Sequence, residues 1–244
     1  MKITKLVVLF NLDKIIVGCV AAAVLTVAGL YTTYWFSYML LIGAGAIVLN
    51  IVLALVASYL LYDSSALYRP AELFGSLPLG LIRKAIFLHA SFDPMSRELQ
   101  LLMSKADLKI YNIYGNRHAD EKSVAISNKV FPPNPREEIV DPTQLQDATA
   151  SVDCIFAITS LHEIHTQEDR VKFFKEARRV LKDDGSIIIC EQLRDWTNFL
   201  FFNIGAFHFV SSRHWRQAIA EAGLQIEKCE KITPWGTVFY VNKA

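Results

Sequence analysis

The sequence predicts an α/β domain on a mostly parallel sheet with an antiparallel final strand, preceded by a two-helix transmembrane hairpin. Three observations carry this expectation. Between Lys14 and Asp63 lie 48 residues without a single Asp, Glu, Lys or Arg. From Lys84 onward, strand-like and helix-like stretches alternate, as they do in a parallel sheet covered by helices. The chain then closes on two strand-like stretches with only a short connection, which suits an antiparallel pair.

The composition divides the same way. The 182 residues from Asp63 onward hold 45 of the 49 charged side chains, an ordinary globular density. The hydrophobic excess, 52% of the chain with a mean hydropathy of +0.28, therefore sits in the apolar run. We read residues 1–62 as the hairpin, 63–83 as a linker and 84–244 as the soluble domain. The net charge is +1 and no basic run occurs, so no nucleic-acid partner is expected. Disorder and a small disulfide scaffold are excluded on the same grounds. Cys19, Cys154, Cys190 and Cys229 show no paired spacing and read as reduced, buried thiols of a cytosolic domain.

A continuous helix of 48 residues would run about 72 Å at 1.5 Å per residue, against a bilayer core of about 30 Å. The run must therefore cross twice. Its polar and aromatic cluster at residues 31–38 marks the turn, since Tyr and Trp favour the interface. This places helices near residues 15–31 and 37–61, with Gly29, Gly43, Gly45 and Ala46 allowing close packing. Lys2, Lys5 and Lys14 precede the hairpin and Arg69, Arg83 and Lys84 follow it, so both ends are expected in the cytoplasm. The expected location is the cytoplasmic (inner) membrane, multi-pass. A cleaved signal peptide does not account for so long an apolar run.

In the soluble domain, residues 84–89 read as strand one and Asp93-Pro94 as the cap of a helix over 95–104. Strand two covers 108–114, a helix 119–129, strand three 138–140 and strand four 152–158. A helix over 167–181 presents Val171, Phe174, Ala177, Val180 and Leu181 on one face. Asp183-Asp184-Gly185 turns into strand five at 186–190. A helix over 212–222 stops at Gly223, and strands at 224–232 and 237–242 end the chain.

Several of these segments resemble the second half of a class I S-adenosylmethionine-dependent methyltransferase. They are Val152-Asp153 with its apolar strand, Ser160-Leu161-His162-Glu163, and Glu176 through Arg179-Val180-Leu181 to Gly185 and the strand after it. Trp215, the Ala222-Gly223-Leu224 step and the terminal strand pair agree. The run from Glu191 to Phe209, with residues 89–93, is similar to a bacterial subgroup carrying an N-terminal transmembrane hairpin. The resemblance spans about residues 84–244 and implies a Rossmann-like fold and S-adenosylmethionine as cofactor. The chain departs from the family's pattern in two places. The first loop, usually glycine-rich, reads His89-Ala90-Ser91-Phe92-Asp93, and Asn112 stands where an acidic residue usually clamps the ribose, with Asp120 and Glu121 coming late.

The resemblance implies cofactor contacts at His89, Ala90, Ser91, Asp93, Asn112, Asp141 and Ser160. Methyl transfer is largely positioning and desolvation, and a base is needed only when the acceptor must lose a proton. His162 and Glu163, directly after strand four, and Glu191 and Arg194, after strand five, are the catalytic candidates. Asp195, Asn198 and His208 are candidates for substrate binding, and the Phe199–Phe202 and Phe207–Phe209 runs for an apolar wall. Helix capping by Asp93 and Asn198, an Arg194–Asp195 pair and a core role for His208 are the competing readings. His162-Glu163-Ile164-His165 is not the HExxH zinc motif, because its histidines are three apart. His89, His162, Glu163 and His208 offer ligand atoms, but no metal is expected. The expected function is a membrane-anchored methyltransferase acting on a hydrophobic or membrane-associated, lipid-like small molecule. The alternative is a catalytically degenerate scaffold in a membrane-bound biosynthetic complex. Self-association through the hairpin is a further expectation.

Overall fold

A computed structural model describes residues 3–75, 77–114 and 122–244. Lys2, Asp120, Glu121 and the expected helix start at residue 119 lie outside the described residues.

The first helix, α1 (Ile3–Phe10), begins on a carboxylate sixty residues away. Asp63 accepts from the backbone N–H groups of Ile3 (2.7 Å) and Thr4 (3.0 Å) and from the Thr4 hydroxyl, and so satisfies donors that a helix start leaves open. Two long helices follow, α2 (Leu12–Tyr31) and α3 (Tyr34–Ser58), the latter continued by a π-helical turn at Tyr59–Ser64. Both are long and apolar enough to cross a membrane, and only 11% and 6% of their most apolar windows are buried. Their packing depends on missing side chains: a Cβ on Gly29 would stand 3.0 Å from Leu41, and one on Gly18 would stand 3.0 Å from Ile51. Gly45, expected at this contact, faces open space, and Gly18 was not anticipated. Tyr31, Tyr34 and Trp35 are exposed around the turn.

The 63–83 stretch is a packed element. It carries α4 (Pro70–Leu73) and a 3-10 turn at Leu79–Leu81. Leu67 and Phe74 are buried against the sheet, with the Phe74 and Phe156 rings 4.7 Å apart.

The sheet has seven strands: β1 (Lys84–His89), β2 (Asp107–Asn112), β3 (Glu137–Ile139), β4 (Val152–Ile158), β5 (Leu181–Gln192), β6 (Leu224–Lys231) and β7 (Gly236–Lys243). They lie in the order β3-β2-β1-β4-β5-β7-β6, and β7 alone runs against its neighbours. The expected antiparallel final strand is present. One face is covered by α7 (Gln167–Val180) and α9 (Ser212–Glu221), whose Phe173, Phe174 and Trp215 pack on Ile86, Leu88, Ile155 and Ile187. The other is covered by α4, the rest of the 63–83 stretch and α5 (Ser96–Leu102), which pack on Phe87, Phe156 and Ile188, and the helix expected after β2 is present as α6 (Lys122–Val130). On α7 the expected apolar face is buried at Phe174, Ala177 and Val180, while Val171 is only half-buried and Phe173 is added.

Strand β5 starts at Leu181, five residues before the expected point, and its pairing with β4 shifts between Val152 and Cys154 to absorb the Asp183–Gly185 segment. Cys154 and Cys190 are buried free thiols, as expected. Cys19 and Cys229 are exposed, because Cys19 lies on the outer face of α2 and Cys229 on the outer face of β6.

Candidate active site at the strand crossover

The strand order reverses between β1 and β4, and ligands of such sheets bind beyond the carboxyl ends at that point. His89 ends β1 and is buried. Ser91, in the loop after it, has a left-handed backbone with φ of 58°. The Asn112 side-chain carbonyl accepts from the N–H groups of Ser91 (3.1 Å) and Tyr114 (3.0 Å), which ties this loop to the end of β2. The Asn112 amide donates to Glu137 Oε1 at 2.9 Å, and Nε2 of His89 lies 3.3 Å from Glu137 Oε2. Burial works to raise the Glu137 carboxyl, but the His89 imidazole and the Asn112 amide hold it below the usual carboxylate range. These residues, with Asp93, line a cavity of about 190 Å³. Nδ1 of His89 is buried there without a hydrogen-bond partner among the described residues.

A larger cavity of about 440 Å³ adjoins this one. Ala90, Ser91 and Phe92 line one side, Glu163, His165 and His208 the other, and Phe10 of α1 closes onto it. Behind it, Glu191 is buried at the end of β5 and organises the loop after β4. Its Oε1 accepts from the N–H groups of Ser160 (3.0 Å) and Leu161 (2.8 Å), and its Oε2 lies 2.8 Å from Nδ1 of His162. Nε2 of His162 is 3.5 Å from Glu163 Oε1, and Nε2 of His208 is 3.3 Å from the same oxygen. Burial works to lower the His162 imidazole, but the Glu191 and Glu163 carboxylates outweigh it and push it up to about 10. Burial works the other way on Glu163, yet His162 and His208 hold its carboxyl well below the usual range. In this state His162 is an imidazolium at neutral pH, which suits a donor or an electrostatic contact rather than a base.

A third cavity, about 240 Å³, lies beyond the same histidines and is lined by Arg170, Arg194 and His214 as well as by His162, His165 and His208. The Arg194 guanidinium has no carboxylate partner among the described residues, so the Arg194–Asp195 pair of the competing reading is not formed.

The structure thus brings His89, Ala90, Ser91, Asn112, His162, Glu163, Glu191, Arg194 and His208 to one end of the sheet. The other sequence candidates are engaged locally. Asp93 accepts from the N–H groups of Met95 (3.1 Å) and Ser96 (2.8 Å) and from the Ser96 hydroxyl, so it caps the start of α5 while one flank faces the smaller cavity. The Ser160 hydroxyl donates to the Leu88 carbonyl at 3.1 Å and ties β4 to β1. Asp141 is exposed and closes its own turn onto Thr143. Asp195 caps α8 (Trp196–Phe202) through the Asn198 N–H, and the buried Asn198 amide donates to the Trp235 carbonyl at 3.2 Å. Neither of these two lines the cavities described above. Sequence reasoning missed Glu137, Arg170 and His214. Glu137 had a local signal, an acidic pair opening strand three, but its approach to His89 depends on the β2–β3 register that pairs Ile110 with Glu137.

Residues 106–189, from the start of β2 into β5, match the family model for a methyltransferase domain. The strand order and the single reversed strand agree with that match. The domain has the class I methyltransferase fold. A SAM-dependent methyltransferase from Aquifex aeolicus superposes with a TM-score of 0.52 at 15% identity, covering 75% of this chain and 92% of that one. An N,N-8-amino-8-demethyl-D-riboflavin dimethyltransferase from Streptomyces davawensis superposes with a TM-score of 0.50 at 12% identity, covering 85% and 58% respectively. No curated protein sequence matches the chain significantly.

The methyltransferase match implies S-adenosylmethionine as the cofactor, and the residues present fit it. A ribose diol is held by paired hydrogen-bond acceptors, and Asn112, the last residue of β2, and Glu137, the first of β3, line one cavity. Asn112 lacks the usual charge, but the Glu137 carboxylate lies 2.9 Å from its amide and restores an anion at that place. The orphaned His89 nitrogen and the small Ala90 and Ser91 side chains border the same space.

Proposed function

We propose that this chain is a membrane-anchored S-adenosylmethionine-dependent methyltransferase acting on a hydrophobic or membrane-associated small molecule. One observation carries the reading. The 440 Å³ cavity at the strand crossover is lined on one side by the first loop and on another by Phe10, the last residue of α1. Helix α2, the first apolar span, begins two residues later at Leu12. The cavity therefore adjoins the point where the chain would enter a bilayer.

A second surface supports the membrane side of the reading. Trp196, Leu200, Ile204 and Phe207 are exposed on α8 and the turn after it. This segment touches the hairpin, with Asn50 of α3 3.4 Å from the Leu200 carbonyl. Together they form an apolar flank suited to lie at the interface, and the Lys and Arg residues flanking the hairpin favour a soluble domain on the cytoplasmic side. Tethering raises the local concentration of acceptors that partition into the same membrane.

When bound, S-adenosylmethionine supplies an electrophilic methyl group. Glu137 and Asn112 would hold the ribose hydroxyls, and the unpartnered Nδ1 of His89, whose Nε2 faces Glu137, would accept a hydrogen bond from the cofactor. Ala90 and Ser91 would let the backbone approach the amino-acid part, and Phe10 and Phe92 would exclude water from the reacting atoms. His162 and Glu163 would face the acceptor, with Arg194 placed for an acidic group on it.

Calorimetric titration of the full chain in detergent with S-adenosylmethionine and S-adenosylhomocysteine tests cofactor binding. Micromolar binding, weakened at least about tenfold in Glu137→Ala, is expected. Folded protein that binds neither ligand at millimolar concentration would overturn the enzyme reading in favour of a scaffold. Methyl-labelled cofactor incubated with membrane extracts then identifies the acceptor, and label appearing only in the aqueous phase would overturn the substrate class.

A further inference from the structure

We propose that His162, Glu163 and His208 form a site for one divalent transition-metal ion at the wall of the large cavity. Four of the chain's six histidines (His162, His165, His208 and His214) line one small cavity, a convergence that buried packing does not require. Three of them approach one carboxylate: Nε2 of His162 lies 3.5 Å and Nε2 of His208 3.3 Å from Glu163 Oε1, and Nε2 of His165 lies 3.9 Å from Glu163 Oε2.

The spacing suits a shared ion. Ligand atoms about 2.1 Å from a tetrahedral centre stand about 3.4 Å from one another. Both distances to Glu163 Oε1 match that edge, and one ligand atom from each of the three residues can be chosen so that all lie within 4.8 Å of one another.

The surroundings are those of a ligating histidine. A metal-bound imidazole almost always gives its other ring N–H to a carboxylate or carbonyl, which fixes tautomer and orientation. Nδ1 of His162 meets Glu191 Oε2 at 2.8 Å, and Glu191 is itself held by the Ser160 and Leu161 N–H groups. Nε2 is thereby aimed at Glu163 and His208. The charges also balance, because Glu163 and Glu191 supply two negative charges to a dication. Two imidazoles and one carboxylate favour zinc, cobalt, nickel or iron over magnesium or calcium. His162 is mostly buried, whereas the His208 side chain is 51% exposed, so the open coordination position faces the cavity.

The test uses the full chain in detergent after chelation, titrated with Zn²⁺ by calorimetry and with Co²⁺ by visible absorption. About one equivalent per chain at micromolar affinity or tighter is expected, with the absorption of low-coordinate Co²⁺. Glu163→Gln and the half-exposed His208→Ala should each abolish it. Glu191→Gln keeps all three ligands and should weaken binding about 10–100-fold while retaining the Co²⁺ spectrum. Circular dichroism confirms that each variant is folded. Two results would overturn the site: negligible uptake by folded protein, or uptake undiminished in both ligand variants. Neither depends on cofactor binding, so this inference and the methyltransferase reading fail separately.

Discussion

The Nδ1 atom of His162 lies 2.8 Å from Oε2 of Glu191, and the other Glu191 oxygen is fully used by two backbone N–H groups. The carboxylate cannot turn away, so in the metal-free chain it holds His162 as an imidazolium up to about pH 10. NMR titration of the metal-free chain should show His162 charged throughout neutral pH. In Glu191→Gln its pKa should fall by more than about one unit. The sign for stability follows from the raised value. The stabilising contribution is complete below the ordinary histidine pKa of about 6.5, and it is lost as pH rises through the folded value. Urea unfolding should therefore show wild-type stability declining from neutral to alkaline pH, with a shallower decline in Glu191→Gln. Parallel profiles would refute the coupling.

Asp147 gives the opposite slope. Its buried carboxylate pairs with Lys84 at 2.8 Å and Lys109 at 3.1 Å and accepts from the Tyr111 hydroxyl at 2.7 Å. Burial works to raise its pKa, but these partners hold it below the ordinary value. A depressed carboxyl contributes stability above about pH 4 that disappears as pH falls through the folded value. Asp147→Asn should cost about 2 kcal/mol at neutral pH, less than a fully buried pair would because both lysines are partly solvated. It should also flatten the acid limb of the stability profile. An unchanged acid limb would show that other carboxylates dominate it.

The layout of the sheet was legible because its signals are local. Strand β4 has its expected limits, and the short connection between the last two strands correctly gave the reversed β7. The two long apolar helices, α2 and α3, were legible from their lack of charge. What escaped the sequence depends on distant contacts. Helix α1 is short, and its start rests on Asp63, so no local pattern announces it. Glu137 and His89 are 48 positions apart and meet only through the pairing of three strands. The assembly of His162, Glu163 and His208 has a similar origin. The 203–208 turn is folded back by the bridge between Leu193 and Val210, where the Arg194 N–H reaches the Val210 carbonyl at 3.1 Å. A sequence shows two neighbouring residues and one distant histidine, but not the bridge that joins them.

Gly185 marks a place where the backbone itself is the constraint. A Cβ there would stand 2.8 Å from the Leu181 side chain and 2.9 Å from the Asp153 carbonyl oxygen. Leu181 is fully buried and the carbonyl belongs to β4, so neither neighbour gives way easily. Gly185→Ala should cost about 2 kcal/mol through overpacking and a strained β4–β5 register. A thermal shift assay checks this, with a melting temperature several degrees lower expected. A change smaller than about 1 °C would mean that the Asp183–Gly185 segment adapts freely.

Asp93 and Glu137 both border the smaller cavity, but their hydrogen bonds separate their roles. Asp93 directs its oxygens at the Met95 and Ser96 N–H groups and the Ser96 hydroxyl, where an amide oxygen would serve almost as well. Glu137 is met by the Asn112 amide and by His89, both positioned to sustain a negative charge. Asp93→Ala should destabilise the chain by about 1 kcal/mol, as loss of a helix cap does, whereas Asp93→Asn should be close to wild type. Affinity for S-adenosylhomocysteine should follow a different order: near wild type in Asp93→Asn and at least about tenfold weaker in Glu137→Gln, which loses the charge but keeps the shape. Calorimetry beside thermal unfolding resolves the two scales. If Asp93→Asn were to lose affinity as strongly as Glu137→Gln with its melting temperature intact, Asp93 would be the cofactor contact and Glu137 a support for Asn112.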